Sequence, residues 1–540
     1  MKTTLVILVT VVMIVGLSAC AAAPSMTPIA AATEAPISGN ASSYEYQDQE
    51  PIAAATEAPA AEYAPQATSM PLVPTVAVAA PNNGMDNYFQ DYGVNPLTST
   101  DRDHFSTFAL DVDTASYEMT KAYIDDGSLP PMDAVRAEEF INAFSQGYQS
   151  PTDNTFSVYA DGGPTPFIES GNYLVRFGVQ GYSIPENQRK PLNLTFVIDT
   201  SGSMEESRRL ELVKDAVHLL VDQLDEEDRV TIVNFSEDAW LVLEPTSGDE
   251  KDTIIDAINS LYPMNSTNAN AGLQLGYRYA YRMFNPEYTN RLVLCSDGVA
   301  NQGNTSVDSM LEYVRTYADQ GITLTGIGVG MGNYNDVLLE QLADNGDGNY
   351  YYVDTKDQAR EVFVHNLTAT MQVIAYDAKI QIDFNPEVVE KYRLIGYENR
   401  QIADEDFRDD SVDAGEIGAG MTAAALYEIQ LKDGAEGRIA TAQLRWQDAE
   451  TREVVEIDGD FYTNDLADSF KETSPYFQLA STVAAYAEIL RVSPYVEGDL
   501  SDVAHEADRI STLMVEVSMA NEFAELTQET VRVARWQGRD

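Results

Sequence analysis

The sequence predicts an α/β protein: a mainly parallel sheet with helices on both faces, inserted in an antiparallel β-sandwich, with a C-terminal helical segment. Three observations carry this. Between Leu192 and Val353, short runs rich in Val, Ile, Leu and Phe alternate with stretches whose apolar residues recur every three or four positions. That is the pattern of buried parallel strands separated by amphipathic helices. On either side of that region the residues alternate apolar and polar, as half-buried antiparallel strands do. From Ser474 onwards the period returns to that of helix.

The N-terminus reads as a targeting segment. Lys2 precedes an apolar run, Leu5 to Val15, that is too short to span a membrane comfortably. Leu17-Ser18-Ala19-Cys20 closes it and resembles a bacterial lipobox. The resemblance implies cleavage before Cys20, lipidation of its sulfur and an extracytoplasmic, lipid-anchored protein. Residues 21–95 follow as an Ala/Pro-rich tether in which PIAAATEAP occurs at Pro28–Pro36 and again at Pro51–Pro59. Over all 540 residues, 86 Asp and Glu outweigh 33 Lys and Arg, a net charge of −53. So acidic a chain offers no basic patch for phosphates, which argues against nucleic acid as a partner. The other cysteine, Cys295, falls in an apolar run and reads as a small core residue.

A helical and β module is expected over 96–188. Asp113 or Thr114 can cap a helix to about Asp125, Pro130-Pro131 breaks the chain, and a second helix spans Ala134 to Phe144. Tyr173 to Gln180 alternates as a strand. His104 stands alone among polar neighbours and reads as a surface or hydrogen-bonding residue.

The central region, 189–374, begins with the strand Leu192 to Ile198. It runs into Asp199-Thr200-Ser201-Gly202-Ser203, which puts a carboxylate and two hydroxyls at alternate positions of the following turn. Such oxygen-rich turns suit hard divalent cations, although Asp and Ser in this position also cap helices. Leu210, Val213, Val217, Leu220 and Leu224 mark a helix. A strand Arg229 to Phe235, an antiparallel edge strand Trp240 to Leu243, and helices Asp249 to Leu261 and Ala269 to Phe284 come next. A strand over Arg291 to Ser296 ends in Asp297-Gly298. Helix Val307 to Asp319, strand Ile322 to Val329, helix Asp336 to Ala343 and strand Asn349 to Val353 complete the alternation, and a closing helix spans Gln358 to Ile374.

With its DxSxS motif, the loop Asn265-Ser266-Thr267-Asn268 and the strand-end Asp297, this region resembles the von Willebrand factor type A domain. The resemblance implies a Rossmann-like fold and a metal-ion-dependent adhesion site formed by Asp199, Ser201, Ser203, Thr267 and Asp297. That site takes Mg2+ (or Mn2+ or Ca2+) and leaves one position open for an acidic group of a protein partner. It also implies that the first and fourth strands lie side by side, so that Asp199 faces Asp297 across one crevice. Met264-Asn265 stand where relatives tend to carry glycines. Asn tolerates left-handed backbone, so the loop is expected to keep its shape. Stretches from Asp101 to Ile124 and from Tyr392 to Gly420 resemble a group of bacterial von Willebrand type A lipoproteins.

Residues 375–465 alternate as strands of the β-sandwich portion, with a hairpin loop at Lys432 to Arg438. Residues 466–540 are helical, opening at Ser474-Pro475. Asn345 to Asn349 reads as a tight turn rather than a calcium loop, and the acidic run Asp404 to Asp410 as a solvated loop.

Three functions follow for comparison: a non-enzymatic, metal-dependent binding module of the cell envelope; an envelope scaffold with a structural metal; and a metal-dependent hydrolase. Against the last, the chain has no Gly-x-Ser-x-Gly elbow, no His-Glu-x-x-His and no Gly-rich phosphate loop, and its four histidines are scattered.

Overall fold

The computed structural model describes residues 89–538 except 111, 265, 299–306, 331–335 and 366–370. Cys20 and nearly all of the expected tether therefore lie outside the described residues. Asn95, at the tether's expected end, is already held: its side-chain amide donates to the carbonyls of Leu394 (3.2 Å) and Gly396 (2.7 Å). Among the described residues no helix is long and apolar enough to cross a membrane.

The N-terminal flank comprises β1 (Thr98–Ser99), β2 (Phe105–Ala109), α1 (Ala115–Asp125), α2 (Ala137–Asn142), β3 (Phe156–Gly163) and β4 (Tyr173–Gly181). The central region gives β5 (Leu192–Asp199), α3 (Arg209–Val221), β6 (Arg229–Phe235), β7 (Ala239–Ser247), α4 (Lys251–Asn259), α5 (Ala269–Met283), β8 (Thr289–Ser296), α6 (Val307–Ala318), β9 (Ile322–Val329), α7 (Asp336–Asp344), β10 (Tyr350–Val353) and α8 (Lys356–Arg360). The C-terminal part holds β11 (Val373–Phe384), β12 (Val389–Ile395), β13 (Gly415–Gly418), β14 (Thr422–Leu431), β15 (Arg438–Asp448), β16 (Val454–Tyr462), α9 (Pro475–Leu490), α10 (Leu500–Leu513) and α11 (Ser518–Gln537).

The central strands form one six-stranded sheet in the order β10-β9-β8-β5-β6-β7. All neighbours are parallel except the edge pair β6–β7. Every residue of β5 is buried, which explains why its sequence is mostly apolar rather than alternating. One face packs against α3, α4 and α8, the other against α5, α6 and α7. α5 lies flush on the sheet because it presents glycine there. A Cβ on Gly276 would sit 2.4 Å from Val197 Cγ2, and one on Gly272 2.6 Å from Phe235 Cδ1. α1, from the flank, joins the second face through Ala115 and Met119, and Asp113 accepts a bond from the Tyr350 amide at the start of β10 (3.1 Å).

The flanks combine, as the alternation predicts. One sheet has the order β1-β12-β14-β4-β3; the other runs β13-β11-β15-β16, with β2 also on β11. Thus β4 pairs with β14, and β2 with β11, across the whole central region. The two sheets share one core in which Phe156 meets Trp446 and Phe384 meets Tyr427, edge to face. The outer face of the first sheet is covered by α9, α10 and α11 together with α2. Ser474 caps α9 by accepting from the Phe477 amide (3.1 Å).

Two helices differ from expectation. The segment 134–144 splits into a 3-10 turn, Met132–Ala134, and α2. Arg136 between them is extended because its guanidinium is drawn into a buried pair with Glu139 (3.1 Å) and Glu340 of α7 (2.6 Å). The closing helix also stops short of Ile374: after α8 comes a π-turn, Glu361–His365, and Val373 and Ile374 already belong to β11. Ala375 pairs with Asp448 there, and Ile374 enters the sandwich core, where burial favours a β-branched residue on a strand.

Between the central region and the sandwich lies a group of acids. Asp347 (φ +47°) follows α7, Asp377 (φ +51°) sits at an irregularity of β11, and Asp413 and Glu416 lie at β13. Burial first, and then the charges of Asp413, Asp377 and Asp319 against the opposing Arg452, push Asp347 up to about 7; Glu416 is raised by burial and then by the charges of Asp347, Asp413, Asp344 and Asp377.

Two outcomes follow. Gly276→Ala should cost about 1–3 kcal/mol through overpacking against Val197, read as a lower denaturant midpoint. Because the Asp347 carboxyl has a higher pKa folded than unfolded, its protonated form stabilises. Stability should fall as pH rises from about 4 to about 7, and Asp347→Asn should flatten that slope in pH-dependent melting.

Candidate metal-dependent binding site

The crevice is built at the carboxyl ends of two neighbouring parallel strands. β5 and β8 pair in register, Ile198 opposite Cys295, so the chain leaves both strands at the same level with Asp199 on one and Ser296-Asp297 on the other. This is the topological position where open α/β sheets hold ligands.

Asp199 is fully buried. Its Oδ1 accepts from the Ser201 amide (2.7 Å) and its Oδ2 from Ser296 Oγ (2.7 Å). Ser201 Oγ lies 3.0 Å from Ser203 Oγ, and Ser203 Oγ donates to Asp297 Oδ1 at 3.1 Å. Asp297 Oδ2 in turn receives Arg209 Nη1 at 2.6 Å. Thr200 pins the turn from behind: its amide and hydroxyl both donate to the Phe235 carbonyl (2.9 and 3.0 Å) at the end of β6. Four of the five expected residues thus form one bonded chain.

The loop that carries Thr267 approaches the turn after β5 by a different route. The Met264 amide donates to the Thr200 carbonyl (2.6 Å), and the Met264 carbonyl lies 3.3 Å from where a Cβ on Gly202 would be. The two loops therefore run side by side, with Asn268 capping α5 through the Ala271 amide (3.1 Å). Among the described hydrogen bonds none joins the Thr267 hydroxyl to the carboxylates. Ser266 in this loop is left-handed (φ +76°); Asn265, singled out from the sequence, lies outside the described residues.

Burial raises the Asp199 carboxyl to about 6, against the lowering effect of the bonds from Ser296 and Ser201. Asp297 is also raised: burial outweighs the Ser203 bond and the Arg209 charge. Two carboxylates held this way, beside hydroxyls and no nitrogen or sulfur ligand, are groups that a hard cation would relieve and bind through oxygen alone. The donor set fits a divalent cation. Among the described residues no group of three or more His, Cys, Asp and Glu forms an alternative centre.

Sequence reasoning missed Ser296 and Arg209. Ser296 carried a faint signal, a polar residue closing an apolar strand directly before Asp297. Arg209 carried none, because an arginine opening a helix reads as solvent-facing.

The remaining polar features are structural. His104 Nδ1 meets Asp383 Oδ1 at 2.8 Å. Residues 345–349 make the turn between α7 and β10. In the acidic run, Asp404 accepts from Thr107 (2.6 Å), Asp409 from Ser411 and Asp410 from Arg445 (2.6 Å). Cys295 is buried in the core, where its thiol is pushed up to about 12.

Comparison with known proteins places these features. Residues 193–365 match the von Willebrand factor type A domain, residues 83–176 a von Willebrand factor family, and residues 369–533 the family described as uncharacterized protein YfbK, C-terminal. Uncharacterized protein YfbK of Escherichia coli (strain K12) is 34% identical over 437 residues, which is 76% of this chain and 75% of that protein. Inter-alpha-trypsin inhibitor heavy chain H3 of Homo sapiens is 28% identical over 37% of this chain and 23% of its own. Among solved structures, a von Willebrand factor type A protein from Catenulispora acidiphila aligns with a TM-score of 0.41 and 15% identity, over 71% of this chain and 91% of that one. An oxygen-lined crevice between β5 and β8, the two family models matched over 193–365 and 369–533, and 34% identity to a relative covered over 75% of its length lead to one conclusion: this chain belongs to the YfbK family of von Willebrand factor type A domain proteins.

Proposed function

We propose that this protein is a lipid-anchored, non-enzymatic module of the cell envelope that binds a protein partner through a divalent cation held by Asp199, Ser201, Ser203, Thr267 and Asp297. Von Willebrand factor type A domains are typically protein-interaction modules of adhesion and scaffold proteins rather than enzymes. The observation that carries the finer reading is the bonded chain from Asp199 through Ser201 and Ser203 to Asp297, at the carboxyl ends of the two central strands, where open α/β sheets hold ligands. When bound, Mg2+ (or Mn2+ or Ca2+) would supply an electrophilic position for an acidic group of the partner. The chain's own part is to hold the two serine hydroxyls and two carboxylates at the mouth, with Ser296 and the Thr200 lock fixing Asp199 and its turn. Anchoring would come from Cys20 in the Leu-Ser-Ala-Cys sequence, with the tether of residues 21–95 setting the distance from the membrane.

A second reading, an envelope scaffold whose metal is structural, draws on one observation. The loops before Ser203 and Thr267 are already tied by the Met264 to Thr200 backbone bond. Metal-dependent hydrolysis lacks support, because the groups bonded at the crevice include no general base beyond the two aspartates.

With Mg2+ at about a hundred times its dissociation constant, linkage should stabilise the folded chain by about 2.7 kcal/mol, a rise in melting temperature of several degrees. Asp199→Ala should abolish that rise; the same rise in the variant would remove the site. In pull-downs from membranes, a partner released by chelator supports adhesion, and one retained supports the scaffold.

A further inference from the structure

The crevice contains a cation that belongs to the chain. The Arg209 guanidinium is 2% exposed and donates through Nη1 to Asp297 Oδ2 (2.6 Å) and to the Ser203 carbonyl (3.2 Å). Its seat is built for it. Ser207 (φ +49°) and Arg208 (φ +59°) turn the chain left-handed just before α3, which starts α3 with Arg209 at the crevice. Gly330 (φ +73°), directly after β9, leaves the channel for the side chain: a Cβ there would lie 2.5 Å from Arg209 Nε and 2.7 Å from its Cγ. A long side chain is thus threaded past a glycine to place a charge on one of the two carboxylates.

The charge count shows what this does. Asp199 and Asp297 with Arg209 leave the hydrogen-bonded groups at minus one, with Asp354 sharing the Arg209 charge from outside that set. A divalent cation alone turns that to plus one in a buried place, and a single carboxylate from outside returns it to zero. Were the guanidinium absent, the cation alone would reach zero and the carboxylate would add an unbalanced negative charge. Buried charge is costly unless it is balanced.

We propose that Arg209 is a specificity-determining residue of this crevice, a resident cation that weakens binding of a divalent ion alone and makes the ion and an acidic partner group bind together. The inference rests on the metal-site reading above. A mixed network of this kind selects for the pair of ligands, whereas two aspartates and hydroxyls alone would select for the ion.

The test is Mn2+ binding by electron paramagnetic resonance to the full chain, with and without saturating acetate, and with chloride at equal ionic strength as control. Circular dichroism melting checks that each variant folds. Arg209→Gln should bind Mn2+ about tenfold or more tightly than the unaltered chain, since a like charge a few ångströms away has been removed. Acetate should tighten Mn2+ binding to the unaltered chain but not to this variant. Arg209→Lys, which keeps the charge, should remain weak. Gly330→Ala, which displaces the guanidinium while every charge remains, should shift affinity towards that of Arg209→Gln and serves if the latter does not fold. Asp199→Ala should bind no Mn2+ at the crevice. If Arg209→Gln or Gly330→Ala binds no more tightly than the unaltered chain, or Arg209→Lys binds as tightly as Arg209→Gln, the role of Arg209 is overturned while loss of binding in Asp199→Ala keeps the metal site. If Asp199→Ala binds as the unaltered chain does, both readings fall.

Discussion

The parallel pairing of β5 with β8 is the constraint on which the rest of the crevice depends. Its register sets Ile198 against Cys295, and only that alignment lets two separate turns leave the sheet at one level. A slip of a single residue would turn alternate side chains to the opposite face and carry Asp199 away from Ser296. The pairing is made secure by the burial of both strands along nearly their whole length, and by α5, whose glycines let it press on Val197 and Phe235. The same helix carries the loop of Thr267 on its amino end, so one packing contact aligns the third segment as well.

Around this core the molecule, though strongly acidic, uses buried arginine as its joining element. Arg393 bridges Glu428 of β14 and Glu488 of α9; Arg491 joins Glu488 and Glu398. Arg136 and Arg400, from opposite flanks, converge on Glu340 of α7. Buried ion pairs contribute little net stability compared with apolar packing, yet removing one partner is costly because the other charge stays buried. In this fold their location is informative: they occur where separate layers meet, and so bear on how the layers are oriented.

Much of this was legible beforehand. The strands and helices of the central region follow from periodicity because the inner strands are buried on both faces and the helices on one, β7 alone lying half-exposed at the edge among the described central strands. Asp199, Ser201, Ser203 and Asp297 were visible because their spacing falls at strand ends. What could not be read is long-range. Strands β3, β12, β13 and β16 are short or mixed in pattern, and become strands through partners far away in the chain. The irregular start of α2 follows from Arg136 meeting Glu340, some two hundred residues on. Arg209 is the clearest case: its role is set by a glycine at position 330 and an aspartate at 297, neither of which alters the local pattern around it.

The pairing of β4 with β14 and of β2 with β11 has a consequence for biosynthesis. These ladders join residues more than two hundred positions apart, whereas the six central strands are complete once Val353 has emerged. The inner sheet can therefore close while the outer body still has open rims, and those rims stay uncovered until the last strands arrive. Unpaired strand edges recruit other chains. A nascent or clipped polypeptide ending between Val353 and β14 would carry a finished crevice on an unfinished shell, liable to borrow the missing strands from a second molecule.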